Sequence, residues 1–192
     1  VSVEVGSYED PVDREGLSHF LEHMLFLGTQ KYPDVDEYST YLKTNGGMSN
    51  AYTSRDHTNY QFQVLPDALD GALDRFSQFF IGPLFTEEYT AREVNAVNSE
   101  YQKNIMSDGW RQFRMNGLYA KEGHPATKFN IGNLETLGDI DRMELIEFYN
   151  NHYSANRMGL ALLSTHSLEE MESWARKYFS SIKNYNLPRN TH

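Results

Sequence analysis

His19, Glu22 and His23 are three side chains able to bind a metal or move a proton, and they interrupt the otherwise apolar run "GLSHFLEHMLF" at residues 16–26. On an α-helix the two histidines, four apart, stack on one face, and Glu22, three after His19, joins that face. Two imidazoles one turn apart can both meet a single cation at about 2.0–2.1 Å. Zinc hydrolases typically use three protein ligands and leave the fourth position to water, so a third ligand is needed. The stretch "AREVNAVNSEY" at residues 91–101 offers one. Glu93 and Glu100 are seven apart, two helical turns, on one face beside an apolar stripe of Val94, Val97 and Tyr101. Carboxylates at the edge of such a stripe cost several kcal/mol to bury unless a cation or donors meet them. The plain alternative is a pair of satisfied core histidines and a solvated helix shoulder. The two constellations taken together favour metal.

The elements that must position these residues follow from periodicity. Val1, Val3 and Val5 alternate with polar residues, predicting a strand that ends near Gly6. Residues 17–27 read as a buried helix stopped by Gly28, and residues 36–44 as an amphipathic helix stopped by Asn45, Gly46 and Gly47. Residues 48–53 and 58–65 predict a hairpin turning at Arg55 and Asp56, with Tyr60, Phe62 and Val64 on one face. Helices are expected over 66–81, over 86–106 with an acidic first turn, and over 107–121. Residues 122–138, rich in Gly, Pro and Asn, predict an extended loop. A helix over 141–152, a strand over 157–164 and a helix over 167–182 opened by a capping box at Ser167 and Glu170 complete the chain. Hairpin-joined strands with long helical excursions imply an α+β fold, an antiparallel sheet with helices packed mainly on one face.

Bulk properties narrow the function. The 192 residues are enough for one domain with a real core. A net charge of −10 without any basic stripe argues against nucleic acid as a partner. The absence of cysteine removes disulfides, thiolate metal sites and a cysteine nucleophile, and leaves the compartment open. No apolar run approaches the roughly 20 residues of a transmembrane helix. The strand-like opening without Met, and the polar, linker-like close on "NLPRNTH", read as cuts through a longer polypeptide.

The order His-x-x-Glu-His, with a glutamate 77 residues after the second histidine, resembles the pitrilysin or insulysin family of zinc metallopeptidases, the inverzincins. The stretches "GSYEDPVDREGLSHFLEHMLFLGTQKYP", "GGMSNAYTSRDHTNYQF", "REVNAVNSEYQ" and "KFNIGNLETL", and "YSAN" at residues 153–156, are similar to the first domain of those enzymes, so the resemblance covers nearly the whole chain. It implies a metallohydrolase fold of the pitrilysin and mitochondrial processing peptidase type, with residues 1–192 a single catalytic domain excised from a multi-domain protein. It implies one Zn²⁺ per chain held by His19, His23 and Glu100, and Glu22 as the general base toward a zinc-activated water. Glu93 is implied to steady a ligand histidine, and Asn50 and Ala51 to meet the substrate backbone on an edge strand. The implied activity is that of a metalloendopeptidase acting on peptides or small polypeptides.

The family's enzymes carry two or four such domains that close around a chamber, so the remaining domains of the parent are expected partners. Alone, the chain is expected to be weakly active or inactive and prone to self-association. The resemblance places a bacterial pitrilysin-type enzyme in the periplasm or outside the cell, and others in the cytoplasm. Two rival readings differ in class. A non-catalytic scaffold half of a processing peptidase would typically have lost the motif, which is intact here. A lyase like S-ribosylhomocysteine lyase would need a cysteine ligand, and there is none.

Overall fold

Val3 and Val5 are fully buried while Ser2 and Glu4 are half-buried, the alternation of a strand with one face in the core. The computed structural model describes residues 1–190; Thr191 and His192, the end of the polar close, lie outside the described residues. In chain order the elements are β1 (Ser2–Val3), α1 (Leu17–Met24), α2 (Glu37–Thr44), β2 (Met48–Thr53), β3 (Thr58–Gln63), α3 (Leu69–Ser77), α4 (Glu87–Asn104), α5 (Asp108–Leu118), α6 (Leu134–Leu137), α7 (Arg142–His152), β4 (Met158–Gly159) and α8 (Leu168–Phe179). The strands form one antiparallel sheet in the order β2-β3-β1-β4, so the fold is α+β with β2 at an edge. Helix α1 lies against β2 and β3, and α4 lies against α1. One apolar core runs from Val3 through Phe20, Leu21, Met24 and Tyr60 to Leu145 and Tyr153, with Phe179 and Ile182 packed on its margin.

Several boundaries differ from the sequence reading, each for a physical reason. The strand expected over 157–164 pairs only at Met158–Gly159, because β1 offers it only Ser2 and Val3 as partners. The helix expected over 66–81 is α-helical only in its centre, with 3₁₀ turns at Pro66–Ala68 and Gln78–Phe80. The expected loop at 122–138 contains α6, nucleated by a capping box in which Asn133 accepts from Thr136 N–H. Thr86 precedes α4 in extended backbone but its side chain makes no cap bond, so the acidic first turn acts through the helix dipole alone. The capping box at Ser167 and Glu170 is formed. The described part of the polar close is no loose linker: the Arg157 guanidinium donates to the Pro188 carbonyl, and Asn190 donates to the Glu4 carbonyl at 3.0 Å.

Candidate metal centre

Leu17, Phe20, Leu21 and Met24 are buried, which fixes the rotation of α1 and leaves His19 and His23 half-buried on the face toward α4. Helix α4 is fixed in turn by buried Val94 and Val97, which set Glu93 and Glu100 opposite the histidines. Nε2 of His19 lies 3.4 Å from one oxygen of Glu100, and Nε2 of His23 lies 3.8 Å from the other. One ligand atom from each of His19, His23 and Glu100 falls within a 4.8 Å span. His19 and His23 are thus brought to Glu100, which lies 77 positions after the second histidine in the chain.

The remaining polar atoms of these side chains are committed elsewhere. Nδ1 of His19 is 2.8 Å from the Ile131 carbonyl, which makes Nδ1 the donor and leaves Nε2 as a lone-pair acceptor. Nδ1 of His23 is 3.4 Å from Glu93, whose other oxygen accepts from Arg92 at 3.1 Å. Glu22 is buried beside the histidines, and one of its oxygens accepts from the Thr53 hydroxyl at 2.6 Å. These four residues, with Phe26, the β2 residues 49–53, Glu100, Trp110 and Ile131, line a cleft of about 540 Å³.

The electrostatics follow from burial and neighbours. Burial and the adjacent His23 hold His19 below its ordinary value. Burial also opposes the charged form of His23, but the Glu93 hydrogen bond and the charges of Glu100 and Glu22 outweigh it and raise it. The same bond lowers Glu93. Burial pushes Glu22 up to about 6, against the Thr53 hydrogen bond, which works to lower it. Two imidazole lone pairs and a carboxylate converging at one point, each imidazole oriented by an acceptor on its far nitrogen, is a donor set suited to zinc.

Sequence reasoning did not assign two supports of this site. Thr53 lies within a predicted strand, but nothing in its spacing ties it to Glu22. The Ile131 contribution is a backbone carbonyl, which leaves no side-chain signal at all.

Residues 1–121 match the family model described as insulinase, peptidase family M16. The chain belongs to peptidase family M16. Residues 139–192 match a second model of the family, described as the peptidase M16 inactive domain. Relatives include a putative zinc protease, mug138, of Schizosaccharomyces pombe (48% identical over 98% of this chain and 20% of that protein). Insulin-degrading enzyme of Homo sapiens is 47% identical over 98% of this chain and 19% of that protein. Insulin-degrading enzyme-like 1, peroxisomal, of Arabidopsis thaliana is 49% identical over 98% and 20%. A crystal structure of pitrilysin superposes with a TM-score of 0.95 at 37% identity, over 100% of this chain and 21% of that one. The chain thus spans about a fifth of the length of the M16 relatives it matches, and no helix among the described residues is long and apolar enough to cross a membrane.

Proposed function

We propose that the chain is the catalytic domain of an M16 zinc metalloendopeptidase, with His19, His23 and Glu100 holding one zinc ion and Glu22 acting as general base. The observation that carries this reading is the convergence of one ligand atom each from His19, His23 and Glu100 within 4.8 Å, with both Nε2 atoms facing the Glu100 carboxylate. The main apolar core, which draws on both family-matched segments, supports treating residues 1–192 as one working unit.

A zinc ion at this position supplies the Lewis acidity that makes water a nucleophile near neutral pH and polarises a scissile carbonyl. The rest belongs to the chain. Glu22, with one oxygen held by Thr53, keeps the other for the proton of the attacking water and then returns that proton to the leaving amine. Burial, which raises the Glu22 carboxyl in the metal-free fold, makes its carboxylate a better proton acceptor. Glu93 steadies the His23 ring. An extended peptide adds to the free edge of β2, where Asn50 and Ala51 meet its backbone, so that affinity comes from main-chain bonds and demands little sequence. Small polypeptides are the substrate class such an edge would take.

Elemental analysis tests the reading. Protein prepared without added metal is expected to carry about one zinc per chain, and His23→Ala to abolish it. Stoichiometric zinc in the His19→Ala/His23→Ala double variant would sink the assignment.

A further inference from the structure

Helix α1 starts without a side-chain cap. Its first flanking residue is Gly16, at φ 95°, where a Cβ would stand 2.3 Å from Gly132 Cα. This close approach carries the 129–132 segment past the helix start and brings the Ile131 carbonyl to His19. The usual Ser, Thr or Asp cap is thereby excluded, and the first N–H groups of the helix must be met from elsewhere.

Asp10 meets them. It is fully buried; one oxygen accepts from Gly16 N–H at 2.8 Å, and the other accepts from Ser18 N–H at 2.8 Å and from the Ser18 hydroxyl at 2.6 Å. The segment carrying Asp10 is held by Lys128, whose ammonium donates to the carbonyls of Tyr8 at 2.5 Å and Asp10 at 2.6 Å. Ser18 directly precedes His19, and Lys128 lies three residues before Ile131. One polar clamp, buried at Asp10 and Ser18 and half-buried at Lys128, thus reaches both partners of the His19–Ile131 bond. Burial pushes Asp10 up to about 7 even with three donors on it, so the fold tolerates a costly group at this point.

We propose that Asp10 is a positioning residue for the metal centre, replacing the missing cap of α1 and, with Lys128, fixing the axial position of His19 against the Ile131 carbonyl. The inference rests on the reading of His19 as a metal ligand. If the first turn frays without the clamp, only the fraction with His19 in place binds metal well, and apparent affinity falls by that fraction.

The test is zinc affinity, measured by competition with a chromophoric chelator, and the visible spectrum of the cobalt-substituted protein. Asp10→Asn, which sets an amide N–H against a backbone N–H, is expected to weaken zinc about tenfold or more and shift the cobalt bands. Ser18→Ala and Lys128→Met are expected to weaken it several-fold. Ser167→Ala, which uncaps the distant α8, serves as the control for mere loss of stability and is expected to leave affinity unchanged. Wild-type affinity and spectrum in folded Asp10→Asn would overturn the proposal, as would an equal loss in Ser167→Ala. Should Asp10→Asn fail to fold, Ser18→Ala and Lys128→Met decide the matter on the same readouts. The His19→Ala/His23→Ala variant separates the two claims: if it too binds zinc normally, the metal reading itself has failed.

Discussion

Glu22 stands under two opposed demands. As the proposed base it must be ionised, yet it is buried in the floor of a cleft, and burial raises it from an ordinary 4.5 to about 6. A carboxyl whose folded value is raised contributes stability that is fully present below 4.5 and lost as pH rises through about 6. A shift of this size amounts to about 2 kcal/mol at neutral pH and above. Glu22→Gln keeps the shape and removes the charge, so the metal-free variant is expected to be more stable than the parent at pH 8 by up to about 2 kcal/mol. The difference is expected to vanish below pH 4.5, and denaturant unfolding at the two pH values measures it. The same variant in the full-length protein is expected to keep its zinc and lose about 10² to 10⁴-fold in peptide hydrolysis. Near-normal turnover would remove Glu22 from its role as base.

At the scale of elements, the site depends on where α1 begins. Gly16→Ala forces a side chain at φ 95° into the Gly132 backbone, whereas Gly123, at φ 79°, has open space where a Cβ would go. Gly123→Ala is therefore expected to cost only the left-handed conformational penalty, about 1 kcal/mol. Gly16→Ala is expected to exceed it by several kcal/mol and to weaken zinc binding, because the chain must part between α1 and the 129–132 segment. Thermal denaturation of the two variants, with and without zinc, reads both effects; equal losses would show that the close approach is not rigid. This junction also marks the limit of what the sequence makes legible. The spacing of His19, Glu22 and His23, and of Glu93 and Glu100, predicts one face on each of two helices, because helical periodicity is a local property. Which face of α1 meets which face of α4 depends on packing across 77 residues, and only the family resemblance supplies that pairing in advance. The cap by Asp10, the carbonyl of Ile131 and the hydroxyl of Thr53 come from loops and strand ends, where no periodicity operates. The strand over 157–164 fails for a related reason. Alternation can show that a segment suits a sheet, but pairing requires a partner, and β1 pairs for only two residues.

For the whole molecule, the decisive fact is that the chain spans about a fifth of its relatives' length while containing the entire candidate metal centre. The cleft is lined by α1, α4 and β2, and by Trp110 of α5. Between α4 and the residue that follows α5, Met106, Met115, Leu118 and Tyr119 are exposed, as is Trp110, which also lines the cleft. An exposed apolar stretch of this kind favours association. On the proposed reading the ligands all lie on α1 and α4, so the chain alone is expected to hold zinc. Rapid turnover needs more: a peptide held on one side, in a cleft open to water, is poorly oriented, and the dipoles around it are weakened by solvent. Hydrolysis of an unstructured fluorogenic peptide is therefore expected to run orders of magnitude below that of the full-length protein at equal zinc occupancy, with the deficit in kcat/KM. The uncovered face is expected to make the chain associate with itself as concentration rises, and Met106→Lys with Leu118→Lys to reduce that association without touching zinc content. Sedimentation velocity and a side-by-side peptide assay measure the two effects. Comparable rates for the two proteins would show that this domain suffices for catalysis, and that the rest of the length serves selection of substrate rather than chemistry.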